Sequence, residues 1–84
     1  MPTVLRNKGW RVFFYSNEGY EPMHIHGIKG ETEVKYWINQ KSNMISYANS
    51  FNLTPSLKRE FEEIILKNLS LIISSWNLHF NYYQ

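Results

Sequence analysis

The sequence contains neither cysteine nor aspartate. Without cysteine there can be no disulfide framework, no thiolate zinc cage and no cysteine nucleophile, and a small domain is left without a covalent staple. This points to a reducing compartment, with the cytoplasm as the expected location. The lack of aspartate removes the paired aspartates of many hydrolytic sites. Glycine (4) and proline (3) are sparse, and neither a glycine-rich phosphate loop nor a serine nucleophile motif occurs. No apolar run reaches the roughly 18 residues of a membrane helix, and no charged start leads into an apolar secretory stretch, so neither a span nor a signal peptide is expected. Strong charge of one sign is missing too. Nine Lys and Arg against seven acidic residues leave a net charge of +2, which permits contact with nucleic acid without arguing for it.

What is present is a folding chain. Its 84 residues are 43% apolar and 17% aromatic, with only 19% charged, so one ordered domain spanning 1–84 is expected rather than a disordered segment. The first 48 residues read as β-sheet. Thr3 to Asn7 and Trp10 to Ser16 are rich in β-branched and aromatic residues and flank Lys8-Gly9, a hairpin turn. Asn17, Glu18, Gly19 and Pro22 interrupt the pattern, and Met23 to Ile28 then pairs through Lys29-Gly30 with Glu31 to Ile38. Met44 to Ala48 is a short fifth strand. Thr54 followed by Pro55 is an N-cap with proline at the first helical position. From there Leu57, Phe61, Ile64, Ile65, Leu69, Ile72, Trp76 and Phe80 keep one side of a 54–80 helix apolar. One long helix is the simplest reading, and a bend or a break into two helices near Asn68 and Ser70, both weak helix formers, is the main alternative. The fold class is therefore α+β: an antiparallel meander of four to five strands covered on one face by a long C-terminal helix. Leu66, Leu71, Ile73 and Leu78 widen the apolar arc beyond one sheet face, which predicts a partner or a second copy at the helix.

Alternation along strands assigns the faces. Thr3, Leu5, Trp10, Val12 and Phe14 fall on the covered face with Met23, Ile25, Val34, Tyr36 and Ile38. Val4, Arg6, Arg11, Phe13 and Tyr15 fall on the open face with His24, His26, Glu31, Glu33, Lys35 and Trp37. In the second hairpin a two-residue loop sets His26 opposite Glu33 and His24 opposite Lys35, and a four-residue loop sets His26 opposite Glu31. Three readings of His24-x-His26 stay open: sheet residues paired with glutamates across the hairpin, a phosphate-handling or acid–base pair, and two ligands of a metal with a glutamate as the third. Arg6 opposite Arg11 places like charges together, which an anion would relieve, and Phe13, Tyr15 and Trp37 offer flat rings to unstacked bases. Cleavage of RNA through its 2′-hydroxyl needs a base, an acid and a cation, which this face could supply without metal or other cofactor. The candidate catalytic residues are His24, His26 and Glu33. Arg6, Arg11, Lys35 and Tyr15 are the candidates for binding phosphate or nucleic acid. His79, beside Trp76 and Phe80, is expected to be a satisfied or solvent-facing helix residue.

The start Met1-Pro2-Thr3, the run Phe13-Phe14-Tyr15-Ser16-Asn17-Glu18, the segment Glu21-Pro22-Met23-His24-Ile25-His26, the Lys29-Gly30 turn and the late Trp76 resemble a bacterial family, domain of unknown function 4160, over nearly the whole chain. The resemblance implies small stand-alone proteins often encoded beside a small partner, hence a toxin–antitoxin arrangement with a cognate antitoxin. It places Asn17, Glu18, Pro22, His24 and His26 on motif positions and assigns none of them a role. Gly27 departs from the β-branched residue usual after the second histidine, which predicts an early end to that strand. A toxin-like protein acting on RNA through the open face is the leading expectation, and a non-catalytic interaction module, such as an antitoxin or a defence-system adaptor, is the competing one.

Overall fold

The computed structural model describes residues 3–80; Met1 and Pro2, which contribute to the resemblance, and the last four residues lie outside them. Five strands, β1 (Thr3–Asn7), β2 (Trp10–Phe13), β3 (His24–Lys29), β4 (Thr32–Asn39) and β5 (Met44–Phe51), lie side by side in chain order. Every neighbouring pair is antiparallel. Two helices follow, α1 (Pro55–Lys67) and α2 (Leu69–Phe80). The α+β meander expected from the sequence is the fold.

Each turn has a local cause. Lys8 and Gly9 both take positive φ, 52° and 84°, the geometry whose twist suits a two-residue hairpin. They set Asn7 against Trp10 and Arg6 against Arg11. A bulge at Val4 then shifts the register, so that Thr3 pairs with Phe13 and leaves the covered face assigned to it by alternation. In the second hairpin the loop is Gly30-Glu31 rather than Lys29-Gly30, because Gly30 takes the positive φ (58°) at the first loop position and Lys29 stays in the strand opposite Thr32. Both expected pairings are thereby displaced. His26 faces Lys35 and His24 faces Trp37, although each residue keeps its face. The third turn is closed by the Asn39 side chain, which accepts from the N–H groups of Lys41 (3.0 Å) and Ser42 (3.2 Å). β5 continues three residues beyond Ala48, which bulges out between Tyr47 and Asn49.

Thr54 caps α1, its hydroxyl accepting from the N–H of Leu57 at 3.2 Å. The apolar stripe runs on through a break at Asn68. That residue leaves helical geometry (φ −117°, ψ 21°), while its side-chain amide donates to the carbonyl of Ile64 at 2.8 Å. Phe61, Ile64 and Ile65 of α1 and Leu69, Ile72 and Trp76 of α2 are buried with Trp10, Val12, Phe14, Met23, Ile25, Val34, Tyr36 and Ile38 of the sheet region in a single core. Leu5 is only half-buried on the outer strand. Leu66, Leu71 and Leu78 remain exposed. Among the described residues no helix is long and apolar enough to cross a membrane.

The expected early end at Gly27 does not occur: β3 runs to Lys29. Gly27 serves packing instead. A Cβ built on it would lie 2.2 Å from Cε1 of Phe61, so the missing side chain is the slot that admits the Phe61 ring. That ring is fully buried and also meets Trp10 and Tyr36, with centroids at 4.8 and 5.7 Å. Strand propensity alone would reward a side chain at residue 27, whereas the slot makes Gly27→Val an overpacking change costing about 3 kcal/mol. Urea denaturation should show that loss, and combining Gly27→Val with Phe61→Ala should cost clearly less than the sum of the two single changes. Strict additivity would mean that ring and glycine are independent.

Beside the slot, the Tyr36 hydroxyl donates to Glu62 of α1, which also receives the Lys58 ammonium at 2.9 Å. The Tyr36 bond and then the Lys58 bond hold the Glu62 carboxyl below its ordinary value, against a smaller opposing effect of burial. A carboxylate depressed in the folded state contributes stability above its unfolded value and loses it as pH falls through the folded one. Wild type should therefore exceed Glu62→Gln by about 1 kcal/mol near neutrality, and the gap should close as denaturation is followed down through and below the ordinary carboxylate range, about pH 4.

Candidate functional site

The register lays the open face out in rows. One row is Arg6, Arg11, Ile28, Glu33 and Phe51; the next is Phe13, His26, Lys35 and Asn49; the third holds His24, Trp37 and Ser46. A groove of about 290 Å³ crosses β2 to β5 on this face, lined among others by Phe13, Tyr15, His26, Glu33, Lys35 and Phe51.

At one end of the groove the loop between β2 and β3 brings Glu18 onto the two histidines. The loop is a chain of short turns: the N–H of Glu18 donates to the Tyr15 carbonyl (3.2 Å), that of Glu21 to the Glu18 carbonyl (3.0 Å), and that of Tyr15 to Glu18 Oε1 (3.1 Å). Its outer side rests on α2, because a Cβ on Gly19 would fall 2.4 Å from the Phe80 ring. The same Oε1 lies 2.8 Å from His24 Nε2 and 3.1 Å from His26 Nε2, and Oε2 lies 3.2 Å from His26 Nε2. His24 Nδ1 donates to the Pro22 carbonyl at 2.9 Å, since a carbonyl can only accept. One carboxylate thus serves both imidazoles, and both present the same ring nitrogen to it.

Aromatic rings hold the histidines in place. His24 is fully buried, edge-on to Trp76 (5.0 Å) and Trp37 (5.5 Å). His26 stacks on Phe13 at 5.4 Å and meets Tyr15 at 5.0 Å. The side chains of His26 and Glu18 keep 17% and 15% of their exposure while that of His24 keeps none, so solvent reaches the cluster from one side. Burial is the largest single influence on Glu18 and pushes its carboxyl up, but the His24 bond, the Tyr15 N–H and the charges of both histidines together outweigh it and hold the carboxyl below its ordinary value. Burial holds His26 below its ordinary value against the opposing pull of Glu18.

The residues singled out by alternation divide. His24 and His26 are brought together. Glu33 is not their carboxylate: it pairs with Ile28 and Phe51, one row away, because the hairpin loop is displaced. Lys35 stands beside His26 in the row, where it bonds Glu21 at 3.1 Å and lies over the Trp37 ring at 4.3 Å. Arg11 faces Arg6 as expected, and its guanidinium lies over the Phe13 ring at 4.5 Å. Phe13, expected on an open surface, is buried beneath Arg11, Tyr15 and His26. Tyr15 is exposed at the rim, and His79 stands apart from the cluster, 5.5 Å from Phe14. Reasoning from strands could not reach Glu18, which lies in a loop without periodicity; the family motif was the only signal for it.

The model of the family described as "Domain of unknown function (DUF4160)" matches residues 9–77, and the chain belongs to that family. Neither a curated protein nor a solved structure matches it. The matched region takes in the Glu18 loop, both histidines and Trp76, so the whole cluster and its aromatic wall lie within the family domain.

Trp76 supports both the core and the cluster, since its ring touches His24, Phe14 and Phe80. Trp76→Ala should destabilise the domain by about 3–5 kcal/mol, and in the folded fraction the side-chain NMR signals of His24 should shift more than those of His79. A loss below about 1 kcal/mol would place the ring at a partner surface instead.

Proposed function

We propose that this domain acts on single-stranded RNA through the open face of its sheet, as a toxin-like component whose activity a cognate protein would restrain. The observation that carries the reading is the position of the Glu18–His24–His26 cluster at the end of a groove crossing four strands. Two exposed rings, Tyr15 and Phe51, stand at that groove. Bases splayed from a single strand stack on such rings without sequence preference, while phosphates meet cations along the same surface. Lys35 is the cation inside the groove, and Arg11 and Arg6 continue it towards the outer strand. Within this reading His26 is the cluster residue that meets the RNA backbone, and His24, which has no exposed surface, is a positioning residue.

Binding of a labelled oligoribonucleotide tests the proposal. Tyr15→Ala and Phe51→Ala should each weaken it by about 1–3 kcal/mol, the range for one stacked base. Lys35→Ala should reduce the salt dependence, and growth arrest on expression of the chain alone should be relieved by His26→Ala. Equal affinity in the wild type and the Tyr15/Phe51 double variant would defeat the reading. The alternative of a non-catalytic interaction module is favoured by a different surface, the exposed Leu66, Leu71 and Leu78 of the helices, and would leave RNA affinity absent while a partner protects those leucines.

A further inference from the structure

The geometry points to a divalent first-row metal ion, of the zinc class, bound by Glu18, His24 Nε2 and His26 Nε2. The three side chains offer one ligand atom each, and those atoms all lie within 4.8 Å of one another. An ion bound by imidazole and carboxylate at about 2.0–2.1 Å from each atom sets tetrahedral ligands about 3.3 Å apart. The contacts of 2.8, 3.1 and 3.2 Å around Glu18 are already close to that spacing. Seating an ion needs a slight opening on the Glu18–His24 edge and the two Nε2 atoms, which lie within 4.8 Å of each other, at the same spacing of about 3.3 Å.

The tautomer argues for the same occupant. The Pro22 carbonyl takes the Nδ1 proton of His24 and so turns the Nε2 lone pair into the cluster, which is how metal-ligating histidines are commonly oriented. Glu18 and the Pro22 carbonyl both only accept.

The surroundings suit a preformed site. Trp37 and Trp76 confine the His24 ring, and Phe13 and Tyr15 confine that of His26, so the ligands lose little freedom on binding. Three protein ligands, two of them partly exposed, would leave a coordination position for solvent, as in catalytic rather than structural zinc sites. Two imidazoles and one carboxylate select zinc and its first-row neighbours over calcium and magnesium, which prefer all-oxygen shells. This inference departs from the expectation of metal-free chemistry and takes up the metal reading of His24-x-His26. The inference shares its site with the RNA reading, but either can fail without the other.

The test uses the full chain freed of metal with a chelator, and Zn²⁺ alone as the probe, with no RNA present. Calorimetric titration should find one ion per chain and a raised unfolding temperature. Glu18→Gln and His26→Ala, both at partly exposed positions and checked for folding by circular dichroism, should each weaken binding by at least about tenfold, while His79→Ala should leave it unchanged. Co²⁺ should give visible absorption bands of a four- or five-coordinate ion that both cluster variants lose. No saturable binding by the folded wild type, or affinity kept in both cluster variants, overturns the inference. Zn²⁺ binding without oligoribonucleotide binding would sink the RNA reading alone, and oligoribonucleotide binding without Zn²⁺ binding would sink the metal alone.

Discussion

The fit of the Phe61 ring into the space left by Gly27 is the contact on which the architecture rests. A sheet of five short strands joined by tight turns presents one apolar face, and a helix can lie on such a face at several heights and rotations. A ring entering the only side-chain gap of β3 fixes both. With Phe61 seated, Ile64 and Ile65 join the core, and Glu60 and Glu62 come to the two flanks. There they meet the Trp10 indole and Lys29 on one side and Tyr36 on the other. No buried polar side-chain atom among the described residues is left without a partner. The helix is thus pinned in its centre by packing and on its flanks by hydrogen bonds, a combination that gives a small core one arrangement instead of several.

The cluster on the opposite face depends on this arrangement indirectly. Its three side chains come from two places, a strand and the loop before it, and only the strand is held by the ladder. The loop is held by its own turns and by Phe80, while Trp76 closes the space behind His24. A site assembled in this way needs α2 in place, although no residue of α2 contributes to its chemistry. Arg6 and Arg11 form no part of that centre: they sit one row away, and the Arg11 guanidinium lies over the Phe13 ring between them and His26.

The sequence made most of the fold legible because its signals are local. Lys8-Gly9 determined a register and Thr54-Pro55 a helix start, each through the backbone geometry of one or two residues, whereas the two helices that meet at Asn68 replace the single long helix of the simplest reading. Face parity survived even where pairing did not: the displaced loop at Gly30 moved the partner of His26 from Glu33 to Lys35 by an even number of positions, which leaves faces unchanged and pairings wrong. Two features had no local signal. The bulge at Val4 breaks the alternation of β1 with no glycine or proline to mark it, and the role of Gly27 exists only once Phe61, 34 residues later in the chain, lies across it. Glu18 illustrates the same limit for the site, since a loop carboxylate acquires meaning only from what it faces.

The break at Asn68 carries a further consequence. Because Asn68 leaves helical geometry and its side chain bonds back to Ile64, the helix that seats Phe61 ends there, and Trp76 and Phe80, which meet His24 and the Glu18 loop, belong to a second helix. Were a partner on the exposed Leu71 and Leu78 of α2 to change how that helix meets His24, thermodynamic reciprocity would require occupancy of the cluster to change the partner's affinity by the same factor, and such a partner would have no need to touch the groove.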